Sequence, residues 1–375
     1  MFTVHGQLLN NLLAQSAKVV GKEPADHVQI KGIPGKGLTI ITHDAGRIVR
    51  HTLSCNVEKK CLFRLPLDRL MLITAKRTSM KFNMRKDGQL SYSGDGSYSG
   101  TLETLEPKDL SLTAPGVSTT LSDTLRRALF DISKHVALKP QFINREMLLF
   151  VELKDKDIAV ACGDGQHVGL ATTRGEEAEN HQSLTFPLSY VQLIQSVFSK
   201  TETLRMSADQ SHLHFIGYGK DAQTNVALPL VDTSNESITL ERVQSLFAEQ
   251  DKLKPDLQAD VNMEEINVCL GNMEGIKDKE KSSELIIATT KDGLLGLAMV
   301  SRHGQIKQKL TAQPKGKGQI FLNPLTASDV FNKVKGRATM RLVGGRLCLL
   351  EAAAENAVRL RYLILGIQPI QADER

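Results

Sequence analysis

Three stretches of the chain set apolar and polar positions in the same order. FRLPLDRLMLITAKR (63–77), TFPLSYVQLIQSVFSK (185–200) and IFLNPLTASDVFNKVK (320–335) each have an apolar approach and then a Pro-Leu pair, at Pro66-Leu67, Pro187-Leu188 and Pro324-Leu325. Apolar residues recur six and seven positions past the proline, at Leu72 and Ile73, Leu193 and Ile194, and Val330 and Phe331. That spacing predicts an amphipathic helix of about three turns in each stretch.

Past each helix the pattern changes to strict alternation. SMKFNM (79–84), TLRMSA (203–208) and TMRLVG (339–344) place Lys81, Arg205 and Arg341 between apolar neighbours, which predicts strands with one buried face. A turn and a second alternating strand follow in GQLSYSG (88–94), SHLHFIG (211–217) and GRLCLLE (345–351). Before the three stretches lie further helical patterns, LLNNLLAQSAKVV (8–20), LRRALFDISKHV (125–136) and INVCLGNMEGI (266–276). Each leads to a strand, a turn and a strand, the turns being marked by Asp44, Asp164 and Asp292 with Gly46, Gly165 and Gly293.

Each unit is thus two similar halves, and the chain reads as three domains of α+β class, 1–116, 117–236 and 237–375. Two helices in each pack on antiparallel sheets. LTAPGVSTTLSD (112–123) and LVDTSNES (230–237) have the composition of linkers. The segment ITLERVQSLFAEQDKL (238–253) is an extra helix, with Leu240, Val243, Leu246 and Phe247 on one face, and has no counterpart in the other units. A period near 120 residues is too long for a solenoid. Like domains joined head to tail make a ring when the rotation closes, and six half-units per chain lead to that expectation.

Composition sharpens this picture only a little. With 375 residues, 41% hydrophobic and 24% charged, the chain is globular and not disordered. No apolar run approaches the roughly 20 residues that cross a bilayer, and MFTVHGQLLNNLLAQSAK lacks the features of a secretory signal, so no membrane partner and a cytoplasmic location are expected. Five dispersed cysteines, Cys55, Cys61, Cys162, Cys269 and Cys348, argue against a disulfide framework or zinc knuckle and suit small buried hydrophobes. The net charge of +5 is compatible with a polyanion, and the absence of tryptophan with only 5% aromatic residues favours duplex backbone over stacked single strands.

Catalytic motifs do not emerge. There is no Gly-x-x-x-x-Gly-Lys-Ser/Thr loop, no Gly-x-Ser-x-Gly elbow and no His-Glu-x-x-His pair. GDGSYSG (94–100) follows a strand but leads to no helix, so it reads as a hairpin turn. His212 and His214 alternate on a strand, yet the repeat positions Gln89, Arg346 and Cys348 make a solvated sheet face the better expectation than a metal site. PKGKGQ (314–319) fits a flexible connection about as well as a phosphate contact. No cofactor, metal or catalytic residue is expected.

FRLPLDRLMLITAKR followed by LETLEPKDL, CGDGQHVGLATT, and the C-terminal RYLILGIQPI resemble the three-domain DNA sliding clamp, the family of the beta subunit of bacterial replicative polymerases. The resemblance covers nearly the whole chain as pattern. It implies half of a six-domain ring, closed by a homodimer around double-stranded DNA, with a DNA polymerase and a clamp loader as partners. A ring that slides cannot read bases, so it holds phosphates through charge and topology. Carried onto this chain, the resemblance puts Lys18, Lys22, Arg69, Lys76, Arg77, Arg126, Arg127, Lys134, Lys200, Lys333, Lys335 and Arg337 on helices lining the hole, with Lys139 and Arg145 in the loop after a helix. Asp68, Asp123, Asp131 and Asp329 interrupt the basic pattern.

For a partner peptide the resemblance implies a pocket between Gly165, Gln166, His167 and Val168 on one wall and Leu363 and Leu365 on the other, with Pro255 nearby. An apolar pocket with few polar groups suits a peptide. Bacterial members carry His-Arg where this chain has Gln166-His167, and segment 238–253 falls beside the same junction; either difference implies another peptide motif. The slightly basic charge departs from the family's commonly acidic members, which leads to the expectation of a phage or mobile-element clamp acting at a nucleoid or viral replication site. The alternative is a DNA-tracking platform for transcription or repair proteins, or a monomeric processivity factor.

Overall fold

The computed structural model describes residues 1–20, 27–109, 118–139, 147–175, 181–199, 201–230, 239–277 and 283–369. Among them are seven helices: α1 (Gly6–Val20), α2 (Leu67–Thr74), α3, α4 (Leu188–Phe198), α5 (Leu240–Asp251), α6 (Met263–Met273) and α7 (Pro324–Phe331). The third, α3, is continuous through Asp123–Arg127, a π-helical turn Ala128–Ile132 and Ser133–Val136. The chain divides into two compact units, Met1–Ser122 with Gln192–Asp232 and Asp123–Val191 with Thr233–Arg375.

In the first unit a five-stranded sheet runs Asn56–Val57, Phe2–His5, Ser79–Met84, Gln89–Gly94, Ser99–Glu103. An eight-stranded sheet runs Thr119–Thr120, Thr203–Ala208, His212–Tyr218, Ala222–Pro229, Arg47–Leu53, Gly37–Asp44, His27–Ile33, Cys61–Pro66. Alternation sorts their faces as the sequence predicts: Met80 and Phe82 are buried while Lys81 is exposed, and Leu204 is buried while Arg205 is exposed. The helix α2 has eight residues, shorter than the predicted three turns, because the backbone leaves helical geometry at Ala75 and turns left-handed at Lys76. Of its apolar pair only Ile73 reaches the core; Leu72 is 71% exposed.

The second unit holds a nine-stranded sheet in the order Gln182–Pro187, Leu148–Lys154, Asp157–Gly163, His167–Arg174, Val358–Leu365, Leu347–Ala354, Arg337–Val343, Leu257–Asn262, Lys315–Gly316. A four-stranded sheet runs Gly304–Lys309, Leu295–Ser301, Glu284–Thr289, Gln319–Leu322. Strand Asp157–Gly163 is buried at every position after its first because both its faces are covered. One set of alternate residues, with Ala159, Ala161, Val168 and Leu170, meets Leu240, Val243 and Phe247 of α5. On the opposite face of the sheet packs α3, and Tyr362 of strand Val358–Leu365 donates its hydroxyl to the His135 carbonyl at 2.6 Å. Gly169 pairs with Tyr362, and a Cβ there would lie 3.1 Å from the ring, so glycine makes the room. At the tight turns Gly46, Gly165 and Gly293 adopt φ of 81, 89 and 78°, which glycine accepts without steric cost.

A buried imidazole ties three elements of the first unit together. His51 bonds Ser16 of α1 through Nε2 (3.0 Å) and Thr224 through Nδ1 (2.9 Å). Complete burial lowers its pKa from 6.5 to about 3, so the folded protein keeps it neutral. Between those values the unfolded chain binds a proton that the folded one refuses, and stability therefore falls as pH falls. We expect this group to remove about 1.4 kcal/mol per pH unit below about pH 6.5. Urea midpoints of the wild type should drop more steeply with acid than those of His51→Gln; parallel curves would refute the assignment.

Candidate nucleic-acid interface and partner pocket

The cations predicted for a DNA-facing surface occupy different local settings. Lys18 lies in the last turn of α1 and donates to the Ser196 carbonyl at 3.2 Å. Arg69 stands exposed on α2 beside Asp68, at 4.0 Å. Arg126, Arg127 and Lys134 are on α3, where Arg127 donates to the carbonyls of Arg174 and Asn356 at 3.4 Å. The others are not on helices. Lys76 and Arg77 follow the end of α2, Lys333 and Lys335 follow α7, and Arg337 opens a strand. The short helices are the physical reason, since the chain turns soon after each one. Lys22, Arg145 and Lys200 lie outside the described residues.

Several of these groups are already engaged. Arg77 lies over the Tyr98 ring, 3.7 Å from its centroid, and Lys333 donates to the Lys134 carbonyl at 3.4 Å. Asp329, expected to interrupt the basic surface, is instead turned inward and accepts from the Lys139 backbone N–H at 2.5 Å, its side chain 8% exposed. Asp68 remains exposed. Lys18, Arg69, Lys76, Lys134, Lys139, Lys335 and Arg337 are exposed and able to meet phosphates.

The residues predicted for a partner pocket converge in the second unit. Asp164 closes the turn by accepting from the backbone N–H groups of Gln166 (2.9 Å) and His167 (3.2 Å) and from His167 Nδ1 (2.8 Å). Because Leu365 N–H donates to the Gln166 carbonyl at 2.8 Å and Val168 pairs with Leu363, the turn is fastened to strand Val358–Leu365. Between them opens a cavity of about 300 Å³ lined by Gly165, Gln166, His167, Val168, Leu363 and Leu365, together with Arg242, Leu246, Gln250 and Leu347. Pro255 is not among the lining residues. The extra helix α5 supplies Arg242, Leu246 and Gln250, and the four-residue spacing of these positions is the signal in the sequence that puts them on one face. Gln250 Oε1 is buried without a partner there, an acceptor ready for an N–H donor.

Thr239 caps α5 by accepting from Arg242 N–H at 3.3 Å. Its far end is anchored by Asp251, which bonds Arg341 (2.8 Å) and Arg361 (2.6 Å), while Arg361 lies 4.6 Å from the centre of the Phe247 ring. Desolvation works to raise the Asp251 carboxyl, but the two guanidinium groups outweigh it and hold the pKa below its ordinary value.

Elsewhere, GDGSYSG is the predicted hairpin turn, Gly94 N–H donating to the Tyr98 carbonyl at 2.8 Å. The solvated face expected for His212 and His214 is corrected: His214 is fully buried and bonds Asp209 at 2.8 Å, and His212 donates to the Gly46 carbonyl at 2.9 Å. A local acid at the preceding turn partners Nε2 of the inward imidazole. Lys315–Gly316 of PKGKGQ pairs with Leu257–Gln258 as a short strand. Cys61, Cys162, Cys269 and Cys348 are buried, and burial pushes the Cys162 and Cys348 thiols up to about 12.

This mostly strand α+β architecture is that of the sliding clamps. No protein-family model matches the sequence, and no curated protein matches it significantly. Among solved structures, the DNA polymerase III beta subunit of Thermotoga maritima is similar over 98% of this chain and 99% of its own, with TM-score 0.75 and 16% identity. The DNA polymerase III subunit beta of Pseudomonas aeruginosa is similar over 98% and 100%, with TM-score 0.77 and 14% identity. The DNA polymerase sliding clamp of Bacillus subtilis is similar over 98% and 99%, with TM-score 0.76 and 12% identity. The fold is thus shared over 98% of the chain at low sequence identity.

Proposed function

We propose that this chain is a non-catalytic DNA sliding clamp, which encircles duplex DNA and tethers a DNA polymerase to its template in replication. The observation that carries this reading is the likeness to DNA polymerase III beta subunits over 98% of the chain. That likeness runs through both compact units of the chain. Exposed lysines and arginines at helices and helix ends supply a sequence-independent attraction to phosphate, the kind that permits sliding.

In this reading the chain has three domains, near 1–116, 117–236 and 237–375, and works as a homodimer placed on DNA by a clamp loader. Among the described residues, strands Ser99–Glu103 and Gly304–Lys309 each end a sheet and pair with one neighbour, so both offer backbone groups to another chain. A twofold dimer pairs one with the other at two equivalent interfaces, with Glu103 facing the lysine-bearing strand of Lys307 and Lys309. The cavity beside α5 receives a short peptide from the polymerase, its apolar walls taking side chains and Gln250 accepting from the peptide backbone. None of the described helices is long and apolar enough to cross a membrane. Action in the cytoplasm, at a nucleoid or viral replication site, follows from the role.

Topology provides the test. Protein loaded onto nicked circular duplex should co-elute with the DNA in gel filtration at moderate salt and be lost after a single cut linearises the circle. Equal loss from circle and linear form would refute encirclement, and a solution mass of one chain under loading conditions would refute the dimer.

A further inference from the structure

A second cleft lies in the first unit, on the face of the eight-stranded sheet opposite α1. His51 points to α1, so its neighbours Arg50 and Thr52, with Thr39, Ile41, Gln29 and Lys31 of the adjoining strands, face the other way. From the edge strand Cys61–Pro66 the segment 105–109 turns over this face and is held at both ends. Leu105 exchanges backbone hydrogen bonds with Arg64 (2.9 and 3.4 Å), and the side-chain amide of the buried Gln29 both donates to the Lys108 carbonyl (3.0 Å) and accepts from its N–H (2.8 Å). Segment and sheet enclose a cleft of about 730 Å³.

We propose that this cleft is a docking site for an acidic peptide segment of a partner protein, one that lays an apolar side chain on the floor and sets carboxylates against the rim. Ile33, Ile41, Leu62 and Pro107 provide apolar floor and wall, and Leu62 is 44% exposed. Lys31, Lys36 and Lys108 stand exposed at the edge and form no ion pair among the described residues, while Asp109 is the single carboxylate among the lining residues. The charge complement of that rim is anionic. Nucleic acid would satisfy the lysines but not the floor, since phosphates avoid apolar surface and no lining residue is aromatic to stack a base. A carboxylate-flanked aliphatic side chain satisfies both.

The probe is a short fluorescein-labelled peptide with one leucine flanked on each side by aspartate and glutamate, read by anisotropy at low salt on the full chain. We expect saturable binding, weakened roughly tenfold or more by the double variant Lys31→Glu, Lys108→Glu and lost to the same peptide carrying amides in place of its carboxylates. Thr39→Trp fills the cleft without changing its charge and should also abolish binding; thermal unfolding of both variants should match the parent. Unchanged affinity in either variant would overturn the proposal. So would a duplex oligonucleotide that displaces the peptide and is itself weakened by the double variant, because the patch would then serve phosphate.

Discussion

Changing Arg69, Lys134 and Lys335 together to glutamine is expected to make duplex binding markedly less sensitive to salt, the slope of log K against log salt becoming shallower by about 2.7, or roughly 0.9 for each phosphate contact removed. These three are chosen because all are exposed, Arg69 67% so, with the similarly exposed Asp68 4.0 Å away. Arg77, Arg127 and Lys333 would test less, since stacking on Tyr98 or bonds to backbone carbonyls already hold them. The loss should be the same for any duplex sequence, because phosphate contacts carry no base information. The lifetime of a loaded complex on closed circular DNA should change far less than equilibrium affinity, as topology and not attraction keeps a ring in place. A filter-binding series from low to moderate salt decides the matter: an unchanged slope would mean that other cations grip the DNA.

Local signals were written plainly in the sequence, and long-range ones were not. The aspartate-glycine turns at 44–46, 164–165 and 292–293, the alternating strands and the amphipathic α5 follow from spacing alone, because each needs only neighbours in the chain. What periodicity cannot carry is which distant strands meet. Strand Ala222–Pro229 pairs with Arg47–Leu53, and His167–Arg174 pairs with Val358–Leu365, so sheets run on between segments that belong to different repeats. Burial of the second face of a strand is equally silent, which is why alternation alone sends His214 to solvent although it is buried. The same gap explains the pocket. Its turn and its strand were recognisable from the clamp-like CGDGQHVGLATT and RYLILGIQPI, but Arg242, Leu246 and Gln250 join them only because α5 folds back over the sheet. Segment 238–253 falls beside the junction in sequence, but that it forms a wall depends on tertiary structure.

Truncating Phe247 to alanine is expected to be the most damaging single change in α5, at about 3–5 kcal/mol. The ring is 2% exposed in a cluster with Phe150, Val168, Leu170 and Leu363, and it also receives the Arg361 guanidinium. The competing anchor is Asp251 with its two arginines, but Asp251 is 43% exposed, and a solvent-screened pair contributes only about 0–1 kcal/mol. Apolar burial therefore holds the helix down, and the Asp251 ion pairs add little. Asp251→Asn should accordingly cost little, while Phe247→Leu, which refills most of the volume, should cost less than the alanine. Urea unfolding measures the three losses, and amide hydrogen exchange across Leu240–Asp251 should rise sharply in the alanine variant alone. Because Leu246 and Gln250 ride on that helix, affinity for a pocket-binding peptide should fall in parallel with the loss of protection. If Asp251→Asn instead released the helix while Phe247→Ala left it protected, the electrostatic anchor would be dominant, and raising the salt should then open the pocket in the unaltered protein.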